Sequence, residues 1–154
     1  MRYWKLKDPR GITEMSGNNI FVFGSNPEGR HGMGAAKAAM KFGAKLGIGR
    51  GLQGNTYALP TKNLKAGFTE KCTGITYHRS GKRSIPLSMI RDNILELYSV
   101  ARSRPELTFV VVYQADASNL NGYSSNEIMD TFIIGMDVPN NILIHESFRS
   151  RYDG

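Results

Sequence analysis

The chain has 154 residues, a formal net charge of +7, 40% hydrophobic and 21% charged residues, a balance that fits one globular domain burying roughly 70% of its unfolded surface. No apolar stretch approaches the roughly 18 residues of a membrane span, and the start Met1-Arg2-Tyr3-Trp4-Lys5-Leu6-Lys7-Asp8 has no apolar leader segment. A lone Cys72 excludes an intramolecular disulfide and, with three dispersed histidines, gives no zinc spacing, so the expectation is a cytoplasmic chain without metal, cofactor or membrane partner.

Without an internal repeat or a Pro/Ser-rich linker, residues 1–154 read as one domain. Asn19-Ile20-Phe21-Val22-Phe23 is apolar on both faces after its first residue, as a central strand buried on both sides is. It enters a loop, Gly24 to Gly34, and then an alanine-rich helix over 35–42 with Ala36, Ala39, Met40 and Gly43 on one face. Gly43, Gly47, Gly49, Gly51 and Gly54 end that helix and predict a flexible connection. Thr56-Tyr57-Ala58-Leu59 is a short strand stopped by Pro60. The polar stretch 62–83 reads as loop with a strand near Ile75-Thr76-Tyr77. Pro86 suits a first helical turn, and Leu87, Ile90, Ile94, Leu97 and Ala101 recur at helical spacing until 102–105 stop them. The apolar run 107–113 is the strongest strand. A second polar loop, Asp116 to Tyr123, follows, and Ser124-Ser125-Asn126-Glu127 has the Ser-x-x-Glu form of a capping box that opens a helix over 125–134. Asn141-Ile142-Leu143-Ile144-His145 is a last strand. Strands alternating with helices predict an α/β fold, three layers deep, around a mainly parallel mixed sheet.

In such sheets ligands bind beyond the carboxyl ends of the strands. Two apolar strands here each end in a loop rich in Gly, Asn and Ser that leads into a helix. That arrangement serves phosphates, because glycines let the backbone approach closely and a helix start offers free N–H groups. A turn in which glycines only permit tight packing is the plainer alternative for the first loop. As a pattern, Gly29-x-x-Gly32-x-Gly34 matches neither a dinucleotide-binding Gly-x-Gly-x-x-Gly nor a P-loop. His31 fits three roles there: general acid, phosphate donor or capped surface residue. Arg30 is a candidate phosphate contact. Asp116 is either a general base or a turn cap, and Tyr123 is suited to stack on an adenine or ribose. Cys72, His78 and His145 read as structural or incidental, and Glu127 as a cap.

The segments VFGSNPEGRHGMGAAKAA (22–39) and GLQGNTYALPTK (51–62), with PLSMI (86–90) and NGYSSNEIMDTF (121–132), closely resemble a family of bacterial and phage proteins related to macro domains. The resemblance spans roughly residues 18–148. It implies a macro-domain-like fold and a site for ADP-ribose or a related NAD-derived nucleotide, with hydrolysis of an ADP-ribose phosphate or ester as the family's associated activity. It also implies the cytoplasm of a host cell if the chain is phage-encoded. By that likeness Gly24, Ser25 and Asn26 close one end of the site, with Asn26 on ribose hydroxyls. Gly32, Met33, Gly34 and Ala35 present backbone N–H groups to the diphosphate. Ser118, Asn119, Leu120, Asn121, Gly122 and Tyr123 form the facing loop. His31 and Asp116 are the candidate catalytic pair. This second loop departs from the relatives' Ile-Gly-Cys-Gly-Leu-Ala-Gly-Tyr. Ala117 and Asn119 replace glycines, and Asp116 adds an acid beside the expected phosphates.

Three functions remain open at this level. They are a nucleotide-binding hydrolase, a non-catalytic reader of a nucleotide signal, and a nucleic-acid-binding protein using the basic clusters at 62–71 and at His78, Arg79, Lys82 and Arg83.

Overall fold

The computed structural model describes residues 1–5, 15 and 17–153; Leu6, Lys7 and Asp8 of the leader reading lie outside them. Its centre is a six-stranded sheet made of β1 (Arg2–Trp4), β2 (Asn19–Ser25), β3 (Gly51–Gln53), β4 (Thr56–Pro60), β7 (Thr108–Val111) and β8 (Ile142–His145). The strand order is β1-β8-β7-β2-β4-β3, and every pairing is parallel except the edge pair β3–β4. Outside the sheet, β5 (Phe68–Thr69) and β6 (Thr76–Tyr77) form a small antiparallel hairpin.

The period-two alternation of a strand sorts the central residues onto two faces. Ile20 and Val22 of β2 join Tyr57 and Leu59 of β4 and Phe109 and Val111 of β7 in one apolar cluster. Phe21 and Phe23 join Ala58, Val110 and Val112 in the other. Helices α2 (Leu87–Ser103) and α3 (Ser125–Ile133) cover the first face. Helix α1 (Gly34–Ala39), with the 3₁₀ turn Met40–Phe42 and Trp4, covers the second. The result is a three-layer α/β fold with a mainly parallel, mixed sheet.

Helix α2 forms where its sequence requires, with Ile90, Ile94, Leu97 and Ala101 fully buried on one stripe, each large side chain contributing roughly 1.5–3 kcal/mol. Pro86 stands just before its first turn, as the N-cap. Helix α3 carries a complete capping box, in which Ser124 Oγ accepts from Glu127 N–H at 3.1 Å and the Glu127 carboxylate accepts from Ser124 N–H at 2.8 Å.

Two expectations are corrected. The helix after the first loop buries Ala38, Ala39 and Phe42 and leaves Met40 outward, because the chain tightens to 3₁₀ at Met40 and stops at Gly43 in the left-handed region, φ 116°. The glycine-rich stretch that follows is no featureless connection: it contains edge strand β3. A Cβ built on Gly43 would stand 2.9 Å from the Gly54 Cα, so glycine is what lets the two segments touch. Among the described residues, no helix is long and apolar enough to cross a membrane.

Candidate functional site

The carboxyl ends of the neighbouring strands β7, β2 and β4 all open on one side of the sheet. Register holds them together there: Gly24 lies beside Leu59 and Ser25 beside Pro60, Thr61 N–H donates to Ser25 O at 2.9 Å, and Val112 N–H donates to Val22 O at 3.3 Å. Above them is a cleft of about 710 Å³, within the usual range for small-ligand sites. Among the described residues its lining includes two cations, Arg30 and Lys62, and no Asp or Glu, and Arg30 pairs with Glu28 at 3.2 Å.

The first loop forms one wall. Gly24, Ser25, Asn26, Arg30, Gly32, Met33, Gly34 and Ala35 all line the cleft. Beyond the adjoining backbone, a Cβ built on Gly32 or Gly34 would meet no atom of the described residues within 4 Å, so both glycines turn an open backbone face outward. Gly34 also has φ 59°, a conformation that side chains disfavour. The first hydrogen bond of α1 runs from Lys37 N–H to Met33 O, which leaves the N–H groups before Lys37 without an intrahelical acceptor.

Asn26 braces this wall. Its Oδ1 accepts from Arg30 N–H at 3.0 Å and its Nδ2 donates to Arg30 O at 2.8 Å. One amide hydrogen and one lone pair remain for a ligand. Behind the loop, Gly47 N–H donates to Gly29 O at 2.9 Å, and Gly49 passes so close that a Cβ there would lie 1.9 Å from Asn26 O.

His31 is placed otherwise than a catalytic role requires. It is 1% exposed and absent from the cleft lining. Its ring stands edge-on to Phe23 at 5.2 Å, and Nε2 lies 3.0 Å from Ile48 O. A carbonyl oxygen only accepts, so Nε2 carries the proton. Nδ1 is buried without a hydrogen-bond partner among the described residues. The imidazole thus ties the first loop to the segment beneath it.

The second loop forms the opposite wall through Ser118, Asn119, Leu120 and Asn121, joined by Ala117 and Ser125. Much of its polarity is spent internally. Asn119 Nδ2 donates to Tyr123 O at 3.0 Å and Ser125 Oγ at 3.2 Å, and Asn121 Oδ1 accepts from Tyr123 N–H at 2.9 Å. Asp116 is exposed and lies outside the lining. It sits in the left-handed region at φ 63° and exchanges two bonds with Asn126. Its N–H donates to Asn126 Oδ1 at 3.2 Å, and its carboxylate accepts from Asn126 Nδ2 at 3.0 Å. The carboxylate caps the loop against the start of α3.

Gly122 and Tyr123 are also absent from the lining. A Cβ on Gly122 would collide with Lys82 at 2.7 Å. The Tyr123 ring is buried under the Arg83 guanidinium at 4.8 Å, and its hydroxyl donates to Ile85 O at 2.7 Å. No face of that ring is left for an adenine to stack on from the cleft.

The structure adds residues that sequence reasoning did not single out. Thr61, Lys62 and Leu64 follow β4, and Val112, Tyr113 and Gln114 follow β7. The rule that ligands sit at carboxyl ends, applied to β4 as well, would have found the first three. Tyr113 is 7% exposed, and its hydroxyl has no hydrogen-bond partner with acceptable geometry among the described residues. Burial pushes its ionisation up to about 12, the Thr61 hydroxyl pulling the other way. A Cβ on Gly24 would lie 2.6 Å from that hydroxyl and 3.1 Å from Thr61 Oγ1. The floor of the cleft therefore holds a protonated donor beside a glycine with no room for a side chain.

Met33, Leu64 and Leu120 stand exposed around the mouth. In comparisons with protein-family models, with curated proteins and with solved structures, the chain has no significant match.

Proposed function

We propose that the cleft binds ADP-ribose or a related NAD-derived nucleotide, with its diphosphate held between the two loops. One observation carries the reading: a cleft with no Asp or Glu among the described residues of its lining, at the carboxyl ends of three parallel strands, with Lys62 and the Glu28-paired Arg30 in its wall and the bare backbone of Gly32 and Gly34 facing it. Anions are favoured by that charge, and close backbone approach suits phosphate oxygens. The resemblance of the first loop to macro-domain relatives points to the same ligand class.

Within this reading, recognition without turnover is better supported than hydrolysis. The two titratable residues proposed for chemistry, His31 and Asp116, are engaged with Ile48 and Asn126 and do not line the cleft. A general acid or base has to come within hydrogen-bond reach of the reacting atom.

Calorimetric titration with ADP-ribose, ADP-ribose-1″-phosphate and NAD tests this, alongside thermal unfolding. At a ligand concentration 100 times the dissociation constant, stability rises by about 2.7 kcal/mol. A folded protein whose melting temperature does not move at millimolar ligand refutes the reading.

A further inference from the structure

We infer that the segment 62–83, beside the cleft mouth, is a docking surface for single-stranded nucleic acid, which lays its phosphates on a cluster of cations there and directs its terminal nucleotide to the cleft. The segment contains six Lys and Arg residues, Lys62, Lys65, Lys71, Arg79, Lys82 and Arg83, against one acid, Glu70, and so holds most of the chain's +7. Glu70 is buried and paired with Arg50, outside the segment, so it does not offset the outward charge. Arg83 is paired with Glu127. Lys65, Lys71, Arg79 and Lys82 are exposed and have no ion pair among the described residues.

Lys65, Arg79 and Lys82 are gathered by one buried residue, Asn63. Asn63 Nδ2 donates to Lys65 O at 2.8 Å and to Arg79 O at 2.7 Å, and Asn63 O accepts from Gly81 N–H at 2.8 Å. Lys62, Lys65, Arg79 and Lys82 are thereby rooted around a single point. The cluster abuts the second loop, where Arg83 N–H donates to Asn121 O at 2.7 Å and Lys82 packs on Gly122. Lys62 and Asn121 themselves line the cleft, so the basic surface and the cleft are continuous.

Nucleic acid fits this surface better than an acidic peptide does. Lysines act as point charges that accept phosphates in many geometries. The exposed Met33, Leu64 and Leu120 at the mouth offer apolar contact to the flat face of a base. A cleft of about 710 Å³ admits one nucleotide and not a duplex.

The test is fluorescence anisotropy with a labelled oligothymidylate of about a dozen nucleotides at about 50 mM salt. Saturable binding is expected, with a log–log salt slope of about −2 to −3, as for three or four phosphates neutralised on a single strand. Lys65→Glu with Lys82→Glu weakens it at least tenfold. The control pair Lys41→Glu with Lys45→Glu makes the same charge change beside Phe42, whose carbonyl bonds Asn55 at the amino end of β4, and changes binding less than threefold. Melting curves verify that both variants fold. No saturable binding by the wild-type chain, or equal losses in the two variants, overturns the inference. A polyglutamate peptide of matched charge that binds as tightly as the oligonucleotide overturns it in favour of an acidic protein partner. The readout uses no ADP-ribose, so failure of the ADP-ribose titration and failure of this inference are separate results.

Discussion

Arg50 and Glu70 meet through two side-by-side hydrogen bonds, Nε to one carboxylate oxygen at 3.1 Å and Nη2 to the other at 3.0 Å. Both side chains are almost fully buried, at 11% and 5% exposure. The pair joins the residue just before edge strand β3 to the β5–β6 hairpin. Arg50 Nη1 extends the link to Asn93 Oδ1 at 2.9 Å on α2, while Thr73 and Tyr77 hydroxyls complete the carboxylate's shell. The β5–β6 hairpin is tied to the body of the fold by this contact.

A dependence on pH follows from it. Burial by itself would raise the Glu70 pKa, but the bonds from Arg50, Thr73 and Tyr77 outweigh it and hold the group below its usual range. A carboxyl whose folded pKa is depressed contributes stability that is present above its unfolded pKa, about 4.3, and is lost as pH falls through the folded value. Melting temperature should therefore fall with acidification below about pH 4.5, and Glu70→Gln should flatten this dependence. The same variant leaves Arg50 buried with Glu96 as its one remaining ionic partner among the described residues, and chemical denaturation should show a loss of about 3–5 kcal/mol.

Tyr113→Phe separates stability from binding. The hydroxyl is buried with no hydrogen bond of acceptable geometry among the described residues, which costs about 1–3 kcal/mol, so its removal should leave the melting temperature unchanged or higher. If the hydroxyl donates to the bound nucleotide, ADP-ribose affinity should drop by up to about tenfold. Calorimetry on both proteins checks this, and equal affinities would show that the floor of the cleft does not touch the ligand.

Gly32 and Gly34 give a graded pair. Gly32 has no positive φ and open space where a Cβ would stand, so Gly32→Val should fold normally and lose ADP-ribose binding by steric exclusion. Gly34→Val adds backbone strain at φ 59°, costing about 1–2 kcal/mol, while unfolding stays cooperative. Wild-type affinity in Gly32→Val would place the phosphates elsewhere.

His31→Ala and Asp116→Ala should act on stability. Loss of the buried imidazole, with its Ile48 bond and Phe23 contact, should cost about 2–3 kcal/mol. Loss of the bond that the Asp116 carboxylate accepts from Asn126 Nδ2 should cost about 1 kcal/mol and leave ADP-ribose affinity within about threefold. A wild-type chain that hydrolyses ADP-ribose-1″-phosphate, and an Asp116→Ala chain that does not, would restore the catalytic role.

The chain's local signals determined whatever depends on near neighbours. Val22 and Phe23 among apolar residues read as a strand buried on both faces, the Ile90–Ile94–Leu97 stripe read as a helix, and Ser124 with Glu127 read as a cap, because each rests on backbone periodicity or on a bond spanning three residues. The glycines of the first loop that line the cleft were legible for a similar reason: their open backbone is a property of the residues themselves. What the tertiary structure decided is which side chains face the cleft. His31 lies one residue from cleft-lining Gly32, yet it turns inward, because Phe23 and the Ile48 carbonyl wait behind the loop. Asp116 is drawn to Asn126 on the next helix. Thr61 and Lys62 enter the site only because β4 pairs directly with β2, and Tyr113 points its hydroxyl at Gly24 only because β7 pairs on the other side. Strand order and the direction of a loop side chain are set by contacts between residues far apart in sequence, and such contacts leave no local period to read.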